Sequence, residues 1–126
     1  MSNILVVDDA QELVELFSHI FRSKGYNVKT ASGSKQLYDI LPGYPADVIL
    51  MDVKLAGENG RDICRELKAH EDHSSIPVIL ISANREVLED YQECGADDAI
   101  EKPFELDTLL STIQLHIIKH QQRISS

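Results

Sequence analysis

The stretch Ala46-Asp47-Val48-Ile49-Leu50-Met51-Asp52-Val53-Lys54 decides the fold. Four consecutive apolar residues, Val48 to Met51, run into a single carboxylate at Asp52. A run without polar alternation suits a strand buried on both faces, as in a parallel sheet, so Asp52 falls where the strand leaves the core. The turn-rich Ala56-Gly57-Glu58-Asn59-Gly60 follows at once. In open parallel α/β sheets ligands bind at the carboxyl ends of the strands, which makes Asp52 a candidate for chemistry as well as a candidate strand cap.

Toward the N-terminus, Ile4-Leu5-Val6-Val7 is a second unbroken apolar run, and it ends in Asp8-Asp9. From Ala10, residues Leu13, Leu16, Phe17, Ile20 and Phe21 follow helical spacing, with Gly25 as the stop. Tyr26, Val28 and Thr30 alternate weakly, as in a strand near a sheet edge, and a short helix carrying Leu37, Ile40 and Leu41 ends at Pro42, Gly43 and Pro45. Beyond Asp52, a helix is predicted over 60–69 with Ile63 and Leu67 inward. An apolar strand over 76–82 ends in Ser82, and a helix over 85–94 is closed by Gly95. Ala99-Ile100 makes a fifth strand leading into Glu101-Lys102-Pro103. The last helix runs from Glu105 past Ile118, with Leu106, Leu109, Leu110, Ile113 and Ile117 on one stripe and Leu115 and Ile118 off it. Five strands alternating with five helices predict a doubly wound α/β fold: a five-stranded parallel sheet, right-handed crossovers, and helices on both faces. One domain over 1–118 is expected, followed by a polar C-terminal tail over 119–126 that frays.

Composition narrows the function classes. The 126-residue chain is 43% hydrophobic and carries a net charge of −9, which argues against a nucleic-acid surface because phosphate neutralisation needs clustered Lys and Arg. No segment reaches the roughly 18 apolar residues that span a bilayer, and no signal peptide opens the chain, so a cytoplasmic location with no membrane partner is expected. Cys64 and Cys94 lack metal or disulfide-framework spacing and read as reduced, half-buried thiols. Two histidine pairs, His70 with His73 and His116 with His120, lack a clear third ligand and read as solvated surface.

The strand exits carry Asp8 and Asp9, Asp52, Ser82 and Lys102. In a parallel sheet these exits share one edge, so the five side chains converge. Carboxylates brought close repel, and a hard divalent cation relieves them; Mg²⁺, held by one or two carboxylates together with phosphate oxygens and water, fits that donor set. A carboxylate that attacks a phosphoryl group becomes an acyl phosphate whose charge needs a cation and donors in fixed places, and Lys102 and Ser82 supply them.

Val6-Val7-Asp8-Asp9, Val48-Ile49-Leu50-Met51-Asp52, Gly60, Ile79-Leu80-Ile81-Ser82-Ala83 and Lys102-Pro103-Phe104, in this order, resemble the receiver (response-regulator) domain of bacterial two-component signalling. The resemblance implies a flavodoxin-like strand order 2-1-3-4-5. It makes Asp52 the phosphoacceptor and Asp8, Asp9, Asp52 and the backbone carbonyl of Lys54 the Mg²⁺ ligands. Ser82, Lys102 and the backbone of Ala83 become the phosphoryl contacts, and the bond before Pro103 is expected to be cis. It implies a histidine kinase or histidine phosphotransfer protein as donor, a downstream protein target, and self-phosphorylation and dephosphorylation rather than turnover of an external substrate. A stand-alone receiver, monomeric or weakly homodimeric, is expected, and a phosphorylation-independent binding module on the same fold is the alternative. One departure stands out: Ala99 occupies the position three before Lys102 where the family carries an aromatic switch residue.

Overall fold

The computed structural model describes residues 2–125. Its elements are β1 (Asn3–Val7), α1 (Gln11–Ser23), β2 (Asn27–Ala31), α2 (Ser34–Ile40), β3 (Val48–Asp52), β4 (Lys54–Leu55) and β5 (Glu58–Asn59), then α3 (Gly60–Ala69), β6 (Val78–Ser82), α4 (Arg85–Glu89), β7 (Asp98–Glu101) and α5 (Leu106–Ser125). Short 3₁₀ turns follow α2 (Leu41–Gly43) and α4 (Tyr91–Cys94). The parallel sheet runs in the order β2-β1-β3-β6-β7, the flavodoxin-like arrangement, while β4 and β5 form a small antiparallel hairpin beside it.

Side chains alternate across a strand, so each central strand feeds two cores. Leu5, Val7, Ile49, Met51 and Leu80 face one way and meet Leu37, Ile63, Leu67 and Leu88 from α2, α3 and α4. Ile4, Val6, Val48, Leu50, Ile79 and Ile81 face the other way and meet Phe17 and Phe21 of α1 with Leu109, Ile113 and Ile117 of α5. This is why the runs in β1, β3 and β6 carry no polar alternation: neither face sees water. On the α1/α5 side Phe17 stacks between Phe21 and Phe104, at centroid distances of 5.9 and 5.7 Å.

Several expectations need correction. Leu16 is 50% exposed, and Val14 takes its place on the buried face of α1. Leu106 is likewise exposed, because it begins α5 outside the packed region. The strand expected over 76–82 starts at Val78; Pro77 has no N–H for the ladder, although its carbonyl still accepts from Ile49. The helix expected over 85–94 stops at Glu89 and resumes as a 3₁₀ turn closed by Gly95 in the left-handed region at φ 86°.

The expected tail is helical: α5 continues through Ser125, and Ser126 lies outside the described residues. The extension is explained by its histidines, which are buried rather than solvated. His116 Nε2 lies 2.9 Å from Asp98 Oδ2, and His120 Nε2 lies 4.0 Å from Asp47 Oδ1, so both continue the inward stripe set by Ile113 and Ile117. His70 and His73 stack with ring centroids 4.5 Å apart, and His70 is exposed. Cys64 and Cys94 are free and buried, and burial pushes the Cys64 thiol up to about 12. Among the described residues no helix is long and apolar enough to cross a membrane.

Candidate functional site

Strand register assembles the site. Val7 pairs with Met51, so Asp8 and Asp52 leave adjacent strands at the same level. Asp52 pairs with Ile81, which puts Ser82 one residue further out, and Ser82 pairs with Glu101, which brings Lys102 to the same edge. The Lys102 N–H donates to the Ser82 carbonyl at 2.8 Å, and the Lys102-Pro103 peptide is cis.

The side chains then meet as two acids and one cation. Lys102 Nζ donates to Asp52 Oδ2 at 2.8 Å and lies 3.9 Å from Asp8 Oδ2. The other Asp52 oxygen, Oδ1, accepts the Lys54 N–H at 3.0 Å. Asp52 and Asp8 are both buried. Asp8 Oδ1 accepts the Ala10 N–H at 2.9 Å, but its Oδ2 is buried with no hydrogen-bond partner. Burial raises the Asp8 pKa above the ordinary carboxylate value; the Ala10 N–H opposes this, and repulsion from Asp52 adds to it. Ser82 is buried at the same edge, and its Oγ accepts the Asn84 N–H at 3.1 Å.

That unpartnered oxygen is the test of metal fit. A desolvated carboxylate oxygen beside a second carboxylate, with one lysine for both, leaves excess negative charge, which suits a hard cation with oxygen ligands. Among the described residues no three His, Cys, Asp or Glu side chains form a ready-made metal cage. The reason is Asp9, whose Oδ2 is turned to the Ala56 N–H at 2.8 Å instead of joining Asp8. Mg²⁺ tolerates this, because it is usually held by one or two carboxylates and keeps several waters.

The segment after Asp52 is fixed by contacts that sequence reading missed. Its β4–β5 hairpin turns at Gly57, φ 74°, and is tied to the loop before α1 through the Asp9 contact. It is tied to α2 through Glu58, whose carboxylate accepts both the Ser34 N–H, at 2.9 Å, and the Ser34 hydroxyl. Those two bonds hold Glu58 below the usual carboxylate range. Gly60 donates to the Val53 carbonyl at 2.7 Å and lies so close to the Asp52 backbone that a Cβ would collide with the Asp52 carbonyl oxygen. Lys54 is exposed at the start of β4, and Asn84 is an N-cap, its Oδ1 accepting the Glu86 N–H. Ala83 is exposed beside the site, and Ala99 is partly buried on β7, opposite Leu80, against the core formed with α2, α3 and α4.

A flavodoxin-like sheet with an acidic, lysine-paired site at the carboxyl edge of its central strands defines the class. The model of the response regulator receiver domain matches residues 4–114, and the chain belongs to that family of two-component proteins. It is similar to the DNA-binding response regulator MtrA of Mycolicibacterium smegmatis, 29% identical over 120 residues that cover 94% of this chain and 51% of that protein. The chain thus spans about half the length of the curated relatives it matches, and their DNA-binding description belongs to those longer proteins. Among solved structures it resembles the receiver domain of a signal transduction histidine kinase from Syntrophus aciditrophicus, at TM-score 0.86 and 31% identity over 94% of this chain and 92% of that one. It also resembles the receiver domain of a sensor histidine kinase from Pseudomonas aeruginosa, crystallised with a magnesium ion coordinated in its active-site cleft, at TM-score 0.80 and 29% identity over 92% and 97% of the two chains.

Proposed function

We propose that this chain accepts a phosphoryl group on Asp52 in a Mg²⁺-dependent reaction and signals through the partners that bind the phosphorylated form. The observation that carries the reading is the buried Asp52 carboxylate held 2.8 Å from Lys102 and beside the unpartnered Asp8 Oδ2. In the reaction the Asp52 carboxylate attacks the phosphorus of a phosphohistidine on a histidine kinase or phosphotransfer protein. The P–N bond breaks, its electron pair stays on the imidazole, and an acyl phosphate forms. Lys102, the Ser82 hydroxyl and the Ala83 N–H stand at the edge where the new phosphoryl oxygens need a cation and donors. Asp8, Asp52, the Lys54 carbonyl and, after rotation, Asp9 would hold Mg²⁺, which would neutralise part of the charge of the incoming phosphoryl group. The Lys102 ammonium is then free to leave Asp52 for the phosphoryl group, since a point charge on a flexible stem can follow the negative charge.

The second reading is a binding module that works without phosphorylation, and Ala99 is the residue that favours it. The two readings separate on Mg²⁺ dependence. Incubation with acetyl phosphate and Mg²⁺ is expected to add one phosphoryl group per chain by intact mass, and EDTA is expected to suppress the gain. No gain from acetyl phosphate or from a phosphohistidine donor, with Mg²⁺ present, overturns the phosphoacceptor reading.

A further inference from the structure

Ala99 leaves open how a change at Asp52 reaches the α4 face. The hairpin and α3 offer a shorter path. Gly60, packed on the Asp52 carbonyl, is the first residue of α3, and Arg61 follows it with its backbone N–H fixed by Asn59 Oδ1 at 2.8 Å. The Arg61 guanidinium does not point to solvent. It crosses to the α4 segment, where NH1 contacts Asp90 Oδ1 at 3.0 Å and the Val87 carbonyl at 3.3 Å. NH2 reaches the Asp90 carbonyl at 3.5 Å and Glu93 Oε2 at 3.8 Å.

These contacts fall where the sequence predicts one helix over 85–94 and the structure has a five-residue α4 followed by a 3₁₀ turn. Val87 and Asp90 lie at the break; the Asp90 carbonyl accepts the Glu93 N–H at 3.0 Å within the 3₁₀ turn, and Arg61 adds contacts to the Val87 and Asp90 carbonyls from outside. The fit is incomplete. Three of the four contacts exceed the usual 2.7–3.2 Å of an N–H···O bond, and Arg61 Nε is buried with no partner. A buried donor left unpaired costs about 1–3 kcal/mol. The guanidinium is therefore held loosely on the α4 segment, so a shift of α3 would change its contacts there without breaking a tight network.

We infer that Arg61 is the positioning residue that carries the state of Asp52 to residues 85–94, taking the part left vacant by the alanine at position 99. This rests on the phosphoacceptor reading. A change at the Asp52 backbone moves Gly60, because no space separates them; α3 moves the Arg61 fork, and the fork holds or releases the end of α4. The fork matters because NH1 holds the Val87 carbonyl and Asp90 Oδ1 while NH2 reaches the Asp90 carbonyl and Glu93, a set that the single ammonium of a lysine could not span.

The test is hydrogen exchange of residues 85–94 in the full chain, with and without acetyl phosphate and Mg²⁺, in the parent, Arg61→Ala, Arg61→Lys and Asp90→Asn. Loading of each sample is read by intact mass. In the parent, loading is expected to change exchange over 85–94. Arg61→Ala and Arg61→Lys are expected to load as well as the parent while that change shrinks at least threefold or so. Asp90→Asn, a substitution at a half-exposed position that keeps the fold, is expected to lose part of it. A merely structural Arg61 would raise exchange in both states and leave the difference intact. A full response in loaded Arg61→Ala overturns the inference, as does a loaded parent with no response over 85–94. If Arg61→Ala does not fold, full responses in Arg61→Lys and Asp90→Asn overturn it. A parent that does not load overturns the phosphoacceptor reading itself, and the mass channel separates that result from the others.

Discussion

Replacing Gly60 by alanine is expected to lower folding stability by about 2–3 kcal/mol, in the range of overpacking a filled site, and to slow phosphoryl acceptance as well. Gly60 is not needed for its dihedral angles, since it is not among the glycines with positive φ. It is needed for its missing side chain: a Cβ would strike the Asp52 carbonyl oxygen and lie 3.0 Å from both the Asp52 carbonyl carbon and Val53 Cα. These are backbone atoms at the end of a central strand, so no side chain can swing aside. The Asp52 peptide must move, and with it the carboxylate that Lys102 and the Lys54 N–H hold in place. For a domain of this length the loss corresponds to roughly 10 °C in Tm. Calorimetry and the rate of mass gain from acetyl phosphate check the two effects together. A Gly60→Ala chain with parental stability and rate would mean that the close approach does not set the site.

The second large effect is expected at Asp8. Asp8→Asn should melt several degrees higher than the parent at pH 7 in EDTA, an effect of about 1–2 kcal/mol from removing a buried charge that Lys102, 3.9 Å away and shared with Asp52, only partly compensates. The sign follows from the raised pKa, caused first by burial and then augmented by Asp52. A carboxyl whose folded pKa exceeds its unfolded value favours folding at pH values below the unfolded one, where it is neutral in both states. That contribution is lost as pH rises through the folded value. At neutral pH Asp8 is therefore a cost, and an asparagine keeps the Oδ1 that accepts the Ala10 N–H while turning the other end into a donor toward Asp52. The advantage of Asp8→Asn should shrink as pH falls toward the ordinary aspartate range near ~4. Mg²⁺ bound as proposed would relieve the same cost, so adding it should raise the parent's Tm more than the variant's. Thermal scans across pH, with and without Mg²⁺, check this; a variant less stable than the parent at pH 7 in EDTA would contradict it.

The fold was legible in the sequence because its signal is local. Val48 to Met51, Ile4 to Val7 and Val78 to Ile81 are apolar on both faces, and an acid or hydroxyl marks each exit, so the sheet edge and its side chains could be located before any register was known. The contacts that tune the edge were not legible, because they join residues far apart in sequence. The Asp9 contact with Ala56 and the Glu58 contact with Ser34 depend on how the hairpin folds back toward α1 and α2. Helix ends failed for a similar reason. No Pro or Gly interrupts residues 85–94, and the break at Asp90 lies where Arg61 of α3 contacts the Val87 and Asp90 carbonyls, a long-range contact that a local reading does not see. On α5 the helical stripe continued through His116 and His120, but histidine reads as polar until Asp98 and Asp47 are placed opposite.

The proposed phosphoryl acceptance on this edge rests on one side chain, that of Asp52. Its most direct test is the intact mass of the parent and Asp52→Asn chains after acetyl phosphate and Mg²⁺. The asparagine keeps the shape of the side chain but is no nucleophile toward phosphorus. The parent is expected to gain one phosphoryl group and Asp52→Asn none, whereas an equal gain in both chains would contradict the assignment of Asp52.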